Sequence, residues 1–512
     1  MDAERRRWLG QAMAAGLVLA ALPGEGWAGA DPVAGAPAWS LPPLDALDAF
    51  DATGLAALVA RRKVSPGELL DRALRRAAAI APLKALSVMT EEVARAALAK
   101  PLSGPFAGVP FLLKDLAVEL QGTRTTNGSR FFAEQAAATA DGELVQRFKR
   151  AGLVIFGKTT CPELGLSSST ESALHGPTRN PWNVARVAGG SSGGAAVAVA
   201  SGVVPMAHAS DGGGSIRIPA SCCGLLGLKP SRARVPFPNE HFSGWGGLST
   251  QFAITRSVRD AAGLLDAVAG PAPGAPGPDA PAQGRFVAAL RAAPSKLRIA
   301  VLPAPLNGGP VDAACQQAVA ATIQLCASLG HTVREARPVI DVAAYQGAFA
   351  TMVSVGIARS LDERAKVLGR PCTEADVEHM TWLVAMGGRA VTATAYSAAL
   401  DAMDRAAAQM ALFHRDYDLL LSPTLAAPPL PLGVLRLDAD PALFARESTR
   451  FSPYTSLANV TGQPAMSVPL HWTSDGLPVG VMFQGRYGED ALLLALAAQL
   501  ERAQPWATRR PG

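Results

Sequence analysis

Apolar residues along this chain recur at two spacings, and the alternation between them sets out an α/β fold. Ser65-Pro66-Gly67-Glu68 has the form of a capping box with proline at the first helical position, opening an amphipathic stretch through Ile80. Residues 106–113 form a near-continuous apolar run, a buried strand that ends at Lys114-Asp115. Residues 142–151 have helical spacing, and the short apolar run 153–156 between glycines reads as a strand. A β-α-β pattern follows at 297–302, 312–329 and 331–335, then several helices across 345–413 and a strand at 418–422. Residues 465–472 and 478–483 flank Ser474-Asp475-Gly476, a hairpin signal, and Gly488-Glu489-Asp490 opens the last helix with acids at its positive end. Strands and helices alternating with one hairpin predict a mixed central β-sheet covered by helices on both faces.

The composition changes this picture at both ends of its scale. With 512 residues, 49% of them hydrophobic and 17% charged, the chain can bury a large core. The formal charge of +5 is spread out, with no Lys/Arg patch interleaved with aromatics beyond the N-terminus, so nucleic acid is not indicated as a partner. Arg5, Arg6 and Arg7 precede Trp8 and Leu9, a weakly apolar stretch covers 12–22, and Ala28-Gly29-Ala30 precedes Asp31. That is the layout of a twin-arginine signal peptide over 1–30, with an apolar region too short to span a bilayer. It predicts an exported, periplasmic or secreted protein without stable membrane insertion. Residues 31–512 are read as one domain, with a Pro/Gly-rich surface connection near 270–284. Six cysteines without C-x-x-C or Cys/His spacing imply neither a disulfide framework nor a zinc site.

Three segments carry chemistry. In Gly108-Val109-Pro110-Phe111-Leu112-Leu113-Lys114-Asp115 a lysine ends an apolar run; drawn inside, its ammonium is disfavoured and it becomes a base near neutral pH. The alternative is a lysine reaching solvent or paired with Asp115. Gly189-Gly190-Ser191-Ser192-Gly193-Gly194 suits a phosphate cradle, a nucleophile elbow or a hydroxyl relay. A phosphate loop lacks its Gly-Lys-Ser/Thr, and residues 180–187 make a poor strand for an elbow; a plain Gly/Ser loop stays open. In Ser210-Asp211-Gly212-Gly213-Gly214-Ser215-Ile216-Arg217, successive glycines before a serine can aim backbone N–H groups at one point, as an oxyanion requires. Ser215 is then the candidate nucleophile, with Asp211 and Arg217 bracketing the turn as an ion pair; a tight turn with an incidental serine is the alternative.

Together these segments resemble the amidase-signature family, in which such a Gly/Ser-rich stretch lies some two dozen residues before a second Gly-Gly-Ser. Gly157-Lys158-Thr159, Arg179-Asn180-Pro181-Trp182, Gly227-Leu228-Lys229-Pro230 and Asn459-Val460-Thr461-Gly462-Gln463-Pro464 also match, so the likeness spans about residues 55–500. The tail Pro505-Trp506-x-x-Arg509-Arg510-Pro511 and Gly104-Pro105-Phe106-Ala107 resemble the branch that hydrolyses the cyclic dimer of 6-aminohexanoate. The resemblance implies the amidase-signature fold and an amidohydrolase acting on linear or cyclic amides. It implies a Ser–Ser–Lys triad of Ser215, Ser191 and Lys114, a cis Gly190–Ser191 peptide, and an oxyanion site from the amides of Gly212, Gly213, Gly214 and Ser215. It implies a small-molecule amide as partner and no metal or cofactor, and it admits a homodimer. Two positions depart from the family: Gly212 replaces a larger residue, which would loosen the oxyanion loop, and Thr160 replaces Asn in a segment expected to line the pocket. The pocket walls are expected from residues 345–386 and the loop near Phe451. Three rivals are a Ser-His-Asp esterase using His208, a glutamine-amidotransferase subunit, and a non-catalytic periplasmic binding protein.

Overall fold

Two β-sheets organise the chain, and the side chains alternating along their strands bury two cores. The computed structural model describes residues 39, 41, 43–237, 243–275, 280–294 and 296–512. The leader expected over 1–30 and part of the connection near 270–284 lie outside the described residues. In chain order the strands are β1 (Leu86–Met89), β2 (Pro110–Lys114), β3 (Val154–Thr159), β4 (Glu171–Ser172), β5 (Gly176–Pro177), β6 (Arg179–Asn180) and β7 (Asn183–Val187). Then come β8 (Met206–Asp211), β9 (Leu226–Lys229), β10 (Thr250–Thr255), β11 (Arg298–Val301), β12 (Thr332–Glu335), β13 (Leu419–Pro423), β14 (Ala465–Trp472) and β15 (Pro478–Gly485). An eight-stranded sheet runs β12-β11-β13-β15-β14-β9-β10-β8, and a three-stranded sheet runs β1-β3-β2. The large sheet is mixed: β11 pairs in parallel with β12 and β13, and the β14–β15 hairpin is antiparallel.

Period-two alternation divides the strand residues between the two faces. Ile299, Val301, Leu419, Leu421, Val481 and Phe483 enter one core, while Ala300, Leu420 and Met482 enter the other. Burial on both faces explains why these strands read as unbroken apolar runs. The second core is closed by the helices Val342–Leu368 and Ala393–Phe413, whose residues Tyr345, Met352, Ile357 and Met403 pack in it.

The capping box forms, with the Glu68 amide donating to Ser65 Oγ at 3.2 Å and the Ser65 amide donating to Glu68 Oε2 at 2.7 Å. The strand expected from residue 106 starts only at Pro110, because the Val109 amide closes a turn on the Phe106 carbonyl at 3.0 Å. Residues 180–187, expected to be a poor strand, contain the end of β6 and all of β7, which pair with each other. Pro181 falls outside both strands, and the Asn180 side-chain amide donates to the Val187 carbonyl at 3.0 Å, fastening the pair. The strands β8, β9 and β10 were not legible among the small residues around them.

The small sheet meets the large one where β2 approaches β8. At this junction His208 replaces a ladder bond: its Nδ1 accepts the Lys114 backbone N–H at 3.1 Å. That contact brings the end of one strand, with its lysine, against the end of another, with its serine and glycines.

Candidate active site

Lys114 is the last residue of β2 and is wholly buried. It neither reaches solvent nor pairs with Asp115, whose carboxylate accepts instead from the Thr126 amide at 3.0 Å and hydroxyl at 2.6 Å. Its Nζ lies 2.7 Å from Ser191 Oγ and 2.9 Å from Ser210 Oγ. Burial lowers its pKa to about 8, against the opposing pull of Cys161 and Asp211. A substantial neutral fraction therefore exists near physiological pH. Ser191 follows a cis peptide bond from Gly190 and opens onto the helix Gly193–Ala200.

Ser210 was not singled out from the sequence, although β8 presents it on the same face as His208, two residues before it. Strand periodicity could have found it once residues 206–211 were known to be extended.

The turn after β8 holds Ser215 in place. Asp211 and Arg217 are both fully buried and pair through two bonds, from Arg217 Nε and Nη2 to the carboxylate, each 2.9 Å. Burial would raise the Asp211 pKa, but the charge and hydrogen bonds of Arg217 prevail and hold it at about 2. Asn459 completes the network: its amide donates to the Asp211 carbonyl and carboxylate, each at 2.9 Å, and its oxygen accepts from Arg217 at 2.8 Å. The sequence offered Asn459 only as a matching motif position, because its partners lie 242 to 248 residues away.

The Gly214 amide, expected among the oxyanion donors, is directed elsewhere. It donates to Asp211 Oδ1 at 2.7 Å, and the Ile216 amide donates to Asp211 Oδ2 at 3.1 Å. Its φ of +136° and the Thr455 hydroxyl 2.5 Å from where a Cβ would stand both require glycine. Gly214 thus shapes the loop, which leaves Gly212, Gly213 and Ser215 as candidate donors.

The two departures also take definite form. A Cβ on Gly212 would lie 2.7 Å from the Trp245 indole, so the space of the larger residue is filled by that ring and the loop is not loosened. Thr160 is buried and lines neither cavity described below; its hydroxyl bonds the Thr178 hydroxyl at 2.7 Å and the Lys84 carbonyl at 3.0 Å. It braces the chain behind the site rather than the pocket.

Two cavities meet at Ser215. One, of about 320 Å³, is walled by Phe349 and Val353 of the helix Val342–Leu368, by Leu383 of the helix His379–Arg389, and by Phe444 of the helix Pro441–Phe451. The other, of about 710 Å³, contains Ser191, Ser210 and Gly212. Ser215, Gly165 and Trp245 line both. Ser215 is partly exposed, whereas Ser191 is only 2% exposed.

His208 does not fit a Ser-His-Asp arrangement. With Nδ1 accepting from the Lys114 amide, Nε2 carries the proton and donates to Gln251 Oε1 at 3.0 Å, so both nitrogens are engaged and neither by a carboxylate. Burial pushes its pKa down to about 3, so it is a neutral structural residue. Among the described residues no cluster of three or more His, Cys, Asp or Glu side chains could hold a metal ion, and no helix is long and apolar enough to cross a membrane. All six cysteines are buried and unpaired.

The sequence matches the Amidase family over residues 68–494. The chain belongs to that family. It is 39% identical over 474 residues to the 6-aminohexanoate-cyclic-dimer hydrolase of Paenarthrobacter ureafaciens, covering 90% of this chain and 96% of that protein. The structure of a 6-aminohexanoate cyclic dimer hydrolase complexed with substrate superposes with a TM-score of 0.84 at 37% identity, covering 90% of this chain and 98% of that one. A bacterial aryl acylamidase of the amidase-signature enzymes aligns with a TM-score of 0.80 at 28% identity over 90% of this chain and 97% of that one. This family member is an amidase, and the mixed sheet with flanking helices is the amidase-signature fold.

Proposed function

We propose that this amidase hydrolyses carboxylic amides through an acyl-enzyme, with Ser215 as nucleophile, Ser191 as proton relay and Lys114 as base. The observation that carries the reading is the 2.7 Å contact between Lys114 Nζ and Ser191 Oγ in a wholly buried setting, with Ser191 and Ser215 facing one cavity. The neutral amine takes the Ser191 proton as Ser191 takes that of Ser215, and the Ser215 oxygen bonds to the amide carbon. Negative charge on the former carbonyl oxygen is received by backbone N–H groups of Gly212, Gly213 and Ser215. The proton returns through Ser191 to the nitrogen, the carbon–nitrogen bond breaks, and the amine leaves. Water, deprotonated by the same relay, then attacks the ester, breaks its bond to Ser215 and releases the acid.

Ser215 is preferred to Ser191 as nucleophile because it is the more exposed of the two and faces both cavities, while Ser191 touches the lysine. Together the cavities have room on either side of Ser215, which suits a cyclic amide such as the one named for the Paenarthrobacter relative, as well as linear amides. The leader signals of residues 5–30 support action outside the cytoplasm. A fluorophosphonate probe should label Ser215, and Lys114→Ala and Ser191→Ala should each abolish both labelling and hydrolysis of the cyclic dimer and of simple anilides. Labelling at another serine, or full activity of the Lys114 variant, would refute the mechanism.

A further inference from the structure

The two cavities that meet at Ser215 differ in charge, and the difference assigns the two halves of the substrate. The 320 Å³ cavity has no Asp, Glu, Lys, Arg or His among the described residues that line it. Its walls are apolar, from Phe349, Val353, Leu383 and Phe444, with neutral polar groups such as Asn307 and Gln346 between them. The 710 Å³ cavity carries Glu119, Arg359 and Glu363, all exposed, together with the buried Arg364, and reaches solvent beside Val367, which is 76% exposed. Trp245 stands between them. It lines both, and its indole is seated against Gly212, where a side chain on that glycine would collide with the ring.

We infer that the acyl part of the substrate occupies the smaller cavity and the leaving amine the larger, so that a charged group is accepted on the amine but rejected on the acyl chain. This rests on the Ser215–Ser191–Lys114 mechanism proposed above. The orientation follows from the relay: the group that returns a proton to the departing nitrogen must lie beside it, and Ser191 lines the larger cavity and not the smaller. Gly213, a candidate oxyanion donor, lines the smaller cavity, and Gly212 lines the larger, so the carbonyl sits where the two meet. An ammonium or carboxylate carried into the smaller cavity would exchange part of its hydration for apolar walls and neutral dipoles and meet no counter-charge, whereas in the larger it lies among Arg359, Glu363 and Arg364, which offer both signs of charge.

Five amides of one length test this with the full mature enzyme: hexanoyl pentylamide, the same compound with an ammonium or a carboxylate at the far end of the acyl chain, and the same with either group at the far end of the amine. Both acyl-charged compounds should lose about 100-fold or more in kcat/KM, the effect of placing a charge where no counter-charge faces it, while both amine-charged compounds stay within about tenfold of the parent. Replacing the partition, Trp245→Ala, should narrow the acyl-side penalty by joining the cavities. The reverse pattern, or equal losses on the two sides, would overturn the assignment even if the parent amide is turned over normally. Failure of the parent amide and of every other amide, with no probe on Ser215, would instead defeat the underlying mechanism.

Discussion

Replacing Lys114 with methionine should make the protein more stable and inactive at once. The lysine is wholly buried and its pKa falls from 10.5 to about 8, so the folded state disfavours its charged form. That fall corresponds to about 3 kcal/mol of penalty carried at pH 7, where the unfolded chain holds the ammonium freely in water. Methionine has similar length and no charge, so it removes the penalty but also removes the bonds to Ser191 and Ser210, each worth about 1 kcal/mol. The net expectation is a gain of about 1 kcal/mol near neutral pH. The sign of the pH dependence follows from the lowered pKa. Below about 8 both folded and unfolded lysine are protonated and the penalty is constant. Between about 8 and 10.5 the folded lysine is neutral while the unfolded one still binds a proton, so wild-type stability rises with pH relative to the variant. Urea midpoints of the two proteins at matched pH should therefore converge above pH about 7.5, cross near pH about 8.7 and favour the wild type by about 1 kcal/mol at pH about 9.5, other groups being common to both. Hydrolysis should fall about 10²–10⁴-fold or more, the usual contribution of a positioned base. A variant that is less stable at every pH by a constant margin would refute the argument that burial holds this amine near neutrality.

The same amine should govern the rate, with kcat/KM for a neutral amide rising tenfold per pH unit and levelling near a pKa of about 8. Ser210→Ala removes an acceptor that favours the ammonium, so the limb should move to lower pH; an unchanged limb would separate Ser210 from the lysine. Asp211→Asn leaves Arg217 as a buried charge without its partner and should destabilise by about 3–5 kcal/mol, measured as a loss in thermal midpoint and in Ser215 labelling. Gly212→Val drives a side chain into the Trp245 ring and should lower stability by about 1–3 kcal/mol; an unaffected midpoint would show that the indole moves aside easily.

Hydrophobic spacing made the outer elements legible because each depends on neighbours in sequence. The Ser65–Glu68 box, the β14–β15 hairpin and the run into Lys114 were all readable that way. The order of residues around Lys114, Ser191 and Ser215 was also enough to show the family resemblance. What sequence alone did not reach is decided by partners far apart in the chain. Whether Gly214 offers its N–H to a substrate or to Asp211 depends on how Arg217 and Asn459 fix that carboxylate. Whether Gly212 loosens the loop depends on a tryptophan 33 positions later seated over it. The central strands β8 to β10 hide among small residues because their stability comes from pairing and burial, not from local propensity. The sequence determined which groups could do chemistry; the tertiary structure decided which of their hydrogen bonds remain available, since a buried donor is committed to whatever acceptor the fold places nearest.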